Sequence, residues 1–134
     1  MPLVWKILYR IAYYILQVCW FLRGGRPDGA FVAIWCNDRV LLVQTSYQRR
    51  HTFPGGGKKR REDPLQAAIR ETREEVGIAL SPDMLTRVDT EVGAEVFARE
   101  GIALYEAHFD APPEIKIDHR EIAFASFFDM SAPE

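Results

Sequence analysis

Arg70, Glu71, Glu74 and Glu75 lie within six residues of one another, and they follow a glycine run, Gly55-Gly56-Gly57, and a basic run, Lys58-Lys59-Arg60-Arg61. Clustered carboxylate oxygens are the donors that hard cations such as Mg²⁺ or Mn²⁺ prefer. A cation held that way polarises a phosphoryl oxygen and helps to generate a hydroxide nucleophile. Local positive charge steers polyanions toward a cleft. Glycines let the backbone approach a ligand closely. Together these residue types point to metal-dependent phosphate chemistry. A solvated helix face, a plain turn and a solvated loop use the same residues one at a time, so the weight rests on their combination.

The carboxylates need a helix to bring them together. Asp63 is a good N-cap, Pro64 suits the first helical position, and Gly77 suits the close of the helix. Leu65, Ala68, Ile69, Thr72 and Val76 recur at helical spacing and should face a core. Glu71, Glu74 and Glu75 then fall on another side, within about 100° of one another. Glu71 and Glu75 form an i,i+4 like-charge pair, which costs roughly 0.2–0.5 kcal/mol in an isolated helix. Arg70 relieves part of this by pairing with Glu74. Acids in the C-terminal half also oppose the helix dipole. Broken local rules of this kind tend to mark functional sites.

Read as one pattern, Gly56 to Ile78 resembles the box of the Nudix family. That box runs Gly, five residues, Glu, seven residues, Arg-Glu, an apolar residue, any residue, Glu-Glu, any residue, Gly, apolar. Here the fixed positions are Gly56, Glu62, Arg70-Glu71, Glu74-Glu75 and Gly77, followed by Ile78. Two positions depart from the usual pattern. Thr72 stands where an aliphatic residue is usual, and Arg61 where a glycine often precedes the first glutamate.

The resemblance implies a pyrophosphohydrolase acting on a nucleoside diphosphate linked to another group, with Mg²⁺ (or Mn²⁺ in its place) as cofactor. It implies that Glu71, Glu74 and Glu75 are metal ligands, with the Gly55 carbonyl as a further one. Arg70 orients a catalytic carboxylate, and Glu62 braces the junction of loop and helix. The base that deprotonates water varies in the family, and Glu121, just before the last strand, is the candidate from outside the box. Gly56, Lys58, Lys59 and Arg50 are the candidates for substrate contact. Phe31, Tyr47, Phe97 and Phe124 are the aromatic candidates for base recognition, with a core role favoured for Phe31 and Phe124. Gly93, Ala94, Glu95 and Val96 lie where some subgroups carry a Pro or Tyr marker for ADP-ribose or dinucleotide substrates, so those markers are absent.

The elements that must hold this site follow from patterning. Arg23 to Gly29 is a break rich in glycine. Ala30 to Trp35 and Val40 to Gln44 read as a hairpin across Cys36-Asn37-Asp38-Arg39. Phe53 to Gly57 reads as a tight, irregular turn. Thr86 to Arg99 alternates in part, Gly101 to Asp110 reads as a strand, and Ile122 to Phe128 as a last one. The fold class is therefore α/β with a mixed sheet, which the resemblance makes an α/β/α sandwich. The family usually adds a helix after the last strand; the sequence stops at Glu134, so that helix is either absent or cut off.

With 134 residues and 48% apolar content, the chain is expected to fold as a globular unit. We divide it into an apolar N-terminal helix, 1–23, and a catalytic domain, 24–134. A net charge of −2 and the lack of zinc-finger or aromatic RNA-binding motifs argue against specific nucleic-acid binding. Cys19 and Cys36 form no metal or redox motif and read as buried thiols in a cytoplasmic protein. Leu3 to Leu22 is apolar and aromatic, with a narrow polar stripe of Lys6, Arg10, Tyr13 and Gln17. Its charge-free run, Ile11 to Leu22, has about 12 residues, short of the roughly 20 a membrane span needs. A helix lying on the protein's own sheet, on a second copy or on a membrane surface fits better, and the protein–protein version is favoured. Two other functions compete with hydrolysis of a nucleotide diphosphate. One is a nucleotide-sensing module without turnover, which a degenerate box would mark. The other is a membrane-associated hydrolase of lipid or isoprenoid diphosphates, which vesicle binding would mark.

Overall fold

Strand alternation normally leaves one side apolar, but the first strand of this chain is apolar on both. The computed structural model describes residues 29–46, 51–88 and 101–129. Strand β1 (Gly29–Cys36) is buried along its whole length. Ala30, Val32 and Ile34 join one core cluster, and Phe31, Ala33 and Trp35 are buried on the opposite face. Strand β2 (Arg39–Thr45) returns antiparallel through the turn Asn37-Asp38, with Cys36 opposite Arg39. Asn37 takes φ 56°, a conformation asparagine tolerates better than most residues.

The other elements are β3 (His51–Thr52), β4 (Gly55–Gly57), helix α1 (Pro64–Val76), a 3₁₀ turn (Pro82–Met84), β5 (Thr86–Arg87), β6 (Ile102–Phe109) and β7 (Ile122–Asp129). The sheet runs β3-β2-β1-β6-β5, with β4 paired to β1 and β7 to β2. β1 and β6 are parallel, from Gly29 opposite Ile102 to Cys36 opposite Phe109, and the remaining pairs are antiparallel. The mixed sheet and its four long strands are thus as the sequence predicts. Of the alternating stretch from Thr86 onward, β5 is a strand, and positions 89–100 lie outside the described residues.

Helix α1 starts and stops where its caps require. Asp63 Oδ1 accepts from the Gln66 N–H at 2.9 Å while Gln66 Oε1 accepts from the Asp63 N–H at 3.3 Å, a reciprocal capping box. Gly77 closes the helix in the left-handed region at φ 72°. Ala68, Thr72 and Val76 are buried as expected and Ala67 joins them, while Leu65 and Ile69 are half-buried against the same cluster. The helix covers the face carrying Val32, Ile34, Leu41, Val43 and Tyr105.

One expectation needs adjustment, and two others reach beyond the described residues. The glycine run is not an irregular turn: Gly55, Gly56 and Gly57 pair with Phe31, Ala30 and Gly29 as a strand. Side chains would hold β4 away from β1, and glycine lets the two backbones approach. Of an α/β/α sandwich, the described residues include one α-helix and no second helical layer. The apolar helix assigned to 1–23 and Cys19 lie outside the described residues; Cys36 is a buried free thiol, as expected. Among the described residues no helix is long and apolar enough to cross a membrane.

Candidate active site

Glu75 is the odd residue on the buried side of α1. Its residue exposure is 7%, and its Oε1 accepts from the Gly55 N–H at 2.8 Å. Burial pushes its carboxyl up to about 8; the Gly55 N–H opposes this, and repulsion from Glu71, Glu121 and Glu74 adds to it. Glu71 sits one turn earlier, with its carboxylate against Gly56: a Cβ there would stand 2.8 Å from Glu71 Cδ. Its carboxyl is also raised, first by burial and further by Glu74 and Glu121, against the pull of Arg70. Two covered carboxylates therefore repel each other beside the β4 backbone.

Arg70 neutralises Glu71 only in part, because most of its fork is engaged by Glu62, Gly57 and Glu74. Nε and one terminal nitrogen donate to Glu62 at 2.8 and 2.9 Å, and that second nitrogen also reaches the Gly57 carbonyl at 3.0 Å. The other terminal nitrogen reaches Glu71 at 3.1 Å and Glu74 at 3.2 Å. The hydrogen bonds from Arg70 hold the Glu62 carboxyl down at about 2, and the same pair raises the guanidinium above its usual value. Arg70 thereby ties the loop to the helix, and Glu62 is its main anchor. Arg70→Lys removes the bidentate geometry and is expected to destabilise the fold by about 2 kcal/mol at neutral pH. Because the Glu62 carboxyl is depressed in the fold, its stabilisation is present above pH 4.5 and lost as pH falls toward 2. Urea melts at pH 7 and pH 3 check this: the gap between parent and variant should narrow in acid.

Glu121 reaches this cluster through backbone that the sequence does not reveal. The Lys116 N–H donates to the Val76 carbonyl at 2.7 Å, and the Asp118 N–H to the Glu75 carbonyl at 3.0 Å. The strand-start segment thus straps the end of α1 and satisfies carbonyls the helix leaves open. The Ser46 N–H donates to the Glu121 carbonyl at 2.8 Å, which fixes the next turn. The result is that the Glu121 charge acts on both Glu71 and Glu75. Glu74 is half-exposed and its carboxylate is held by Arg70.

The remaining assignments divide. Gly55 contributes its N–H to Glu75. Lys58 is partly covered and Lys59 is exposed, with the Lys59 N–H donating to Glu62 at 2.9 Å. Arg50, Tyr47 and Phe97 lie outside the described residues, as do Gly93 to Val96. Phe31 is buried, as favoured. Phe124 is not: it is 45% exposed, because it points to the sheet face away from α1 while its neighbour Ala125 packs into the core.

The donor set is all oxygen and fits a hard cation. Among the described residues no three acidic, histidine or cysteine side chains already stand as a finished cage.

Residues 25–133 match the model of the NUDIX domain. The chain belongs to the Nudix family. An RNA pyrophosphohydrolase of Halorhodospira halophila (strain DSM 244 / SL1) is 38% identical over 55 residues, 41% of this chain and 30% of that protein, so the match spans less than a third of the relative. Among solved structures, a MutT NUDIX hydrolase from Burkholderia pseudomallei superposes with a TM-score of 0.62 at 23% identity, covering 81% of this chain and 87% of that one. A C. elegans Ap4A hydrolase gives a TM-score of 0.58 at 26% identity, covering 75% and 78%. The E. coli dihydroneopterin triphosphate pyrophosphohydrolase gives 0.60 at 22% identity, covering 78% and 82%.

Both departures from the usual Nudix box leave a physical trace. Arg61 sits at φ 69°, in a turn closed by the Glu62 N–H on the Lys59 carbonyl at 3.1 Å. Arginine here holds the left-handed conformation glycine takes without strain, so the loop keeps its path at a cost in energy. Thr72 is fully buried and its hydroxyl has no partner. Arg61→Gly and Thr72→Val are each expected to stabilise the fold, by roughly 0.5–1.5 kcal/mol. Thermal melts of each single variant check this, and a fall in Tm for either would contradict its account.

Proposed function

We propose that this Nudix chain hydrolyses a diphosphate linkage in a nucleoside diphosphate derivative, with Mg²⁺ as cofactor and Mn²⁺ as a substitute. The observation that carries the reading is the pair of covered, mutually repelling carboxylates, Glu71 and Glu75, set against the β4 backbone with Glu121 beside them. A fold gains nothing by burying such a pair unless a cation or a proton joins it. Glu71 and Glu75 would hold the cation, with Glu74 and the Gly55 carbonyl completing the site. A bound cation would stabilise charge on the phosphoryl oxygens and make water more acidic. Arg70 keeps Glu71 aimed at the site. Glu121, as a carboxylate outside the box, takes the proton from the attacking water. Lys58, Lys59 and Arg50 attract the polyphosphate, and Gly56 leaves room for it.

The similar proteins named an RNA pyrophosphohydrolase and an Ap4A hydrolase add RNA with a terminal diphosphate linkage and Ap4A to the nucleoside triphosphates to be tested, each with Mg²⁺ or Mn²⁺. The non-catalytic and lipid-diphosphate alternatives gain no support from the similar proteins. The metal part is tested without substrate. At pH 8.5, adding Mg²⁺ or Mn²⁺ at a hundredfold excess over its dissociation constant should stabilise the protein by about 2.7 kcal/mol, through binding to the folded form alone. A Tm that ignores both ions, together with no product from any substrate in the panel, would rule the reading out.

A further inference from the structure

Three rings gather on the sheet face away from α1. His51 on β3 meets Phe128 edge-on at a centroid distance of 5.1 Å and Phe124 at 6.2 Å, and the two phenylalanines on β7 are 6.5 Å apart. Strand register explains the gathering. Gln44 of β2 lies opposite His51 on one side and opposite Phe124 on the other, so all three side chains share a face. Phe124 is the largest exposed apolar side chain of this cluster, 45% open to solvent. Gln44 is partly exposed on the same face, and its side chain carries an amide donor and acceptor beside the rings.

Resting on the proposed nucleotide chemistry, we infer that Phe124, with His51, Phe128 and the Gln44 amide, forms the seat of a planar nitrogen heterocycle, the nucleobase of the substrate. The open ring face provides a stacking surface, and the amide can address hydrogen-bonding groups on the heterocycle's edge. Position supports the assignment. Phe124 follows Glu121 by three residues along the start of β7, about 10 Å at strand rise. Glu121 is also the group whose charge reaches Glu71 and Glu75. A ligand turning around this strand end would set its base on Phe124 and its phosphates at the carboxylates.

The test compares ATP with ribose 5-triphosphate, which lacks only the base, using the full chain with Mg²⁺. In Phe124→Ala the KM for ATP should rise about tenfold more than the KM for ribose 5-triphosphate, with kcat little changed. Phe124→Trp should restore the ATP value. An equal change with both substrates, or no change with either, overturns the inference. If the parent hydrolyses neither, the enzymatic reading has failed in its own right, and calorimetric binding of AMP then decides the seat. About tenfold weaker AMP binding by Phe124→Ala supports it, and equal binding by parent and variant removes it.

Discussion

Glu75→Gln is expected to cut turnover by roughly 10²–10³-fold while raising stability at alkaline pH. The two effects have one cause. Glutamine has almost the same shape and keeps an oxygen for the Gly55 N–H, which donates at 2.8 Å. It lacks the charge that the proposed cation needs and that burial penalises. In the parent the folded-state value of about 8 lies above the ordinary 4.5, so between these pH values the folded protein holds a proton that the unfolded chain releases. Stability therefore falls as pH rises through that window, by up to about 5 kcal/mol above pH 8 without metal. Below pH 4.5 both states carry the proton and the penalty vanishes. The variant, having no such group, should show a flatter profile and surpass the parent above pH 8. Denaturant melts from pH 4 to pH 9 without divalent ions, and steady-state rates with them, measure the two halves separately. A variant that turns over as fast as the parent would show that Glu75 is a structural acid. A variant with the parent's pH profile would show that its charge is not buried.

Where the information for the site resides explains which parts could be read in advance. The cap residues Asp63, Pro64 and Gly77 act within one turn of themselves, so helix α1 is legible from local chemistry alone. The same holds for the apolar runs, bounded by polar or turn residues, that become β1, β2, β6 and β7. The pairing of Arg70 with Glu62 spans eight residues and is not legible in periodicity, which offers Arg70 only Glu74 one turn on. The burial of Glu75 is different in kind. It depends on β4 lying across the helix and on the strap from Lys116 to Asp118, contacts separated by 20 residues or more along the chain. No local pattern marks a glutamate as buried. The exposure of Phe124 is also hidden, because a phenylalanine in a strand reads as core until the register shows which face the helix covers. The short β3 and β4, two and three residues long, leave no periodicity to detect.

Gly55→Ala and Gly56→Ala are expected to separate fold from function at adjacent positions. A Cβ on Gly55 would stand 2.3 Å from the Ala30 carbonyl oxygen and 2.6 Å from Phe31 Cα and Cδ1, at a φ of 150°. The first two are backbone atoms of the fully buried central strand and have no rotamer through which to yield. Either β4 leaves β1 or β1 moves within the sheet, and both outcomes also remove the Gly55 N–H from Glu75. A loss of about 4 kcal/mol follows from overpacking plus backbone strain. A Cβ on Gly56 meets different atoms: the Glu71 carboxyl, at 2.8 to 3.0 Å. That carboxyl is the free end of a flexible side chain and can swing away, so the stability cost should stay near 1 kcal/mol. The displaced carboxylate is one that the proposed mechanism needs beside Glu75, so Gly56→Ala should fold and lose most of its turnover. Chemical denaturation and steady-state assays on the two variants give the comparison. Equal destabilisation at both positions would mean that Glu71 is packed too firmly to move, and full activity in Gly56→Ala would mean that its placement against β4 does not matter to the reaction.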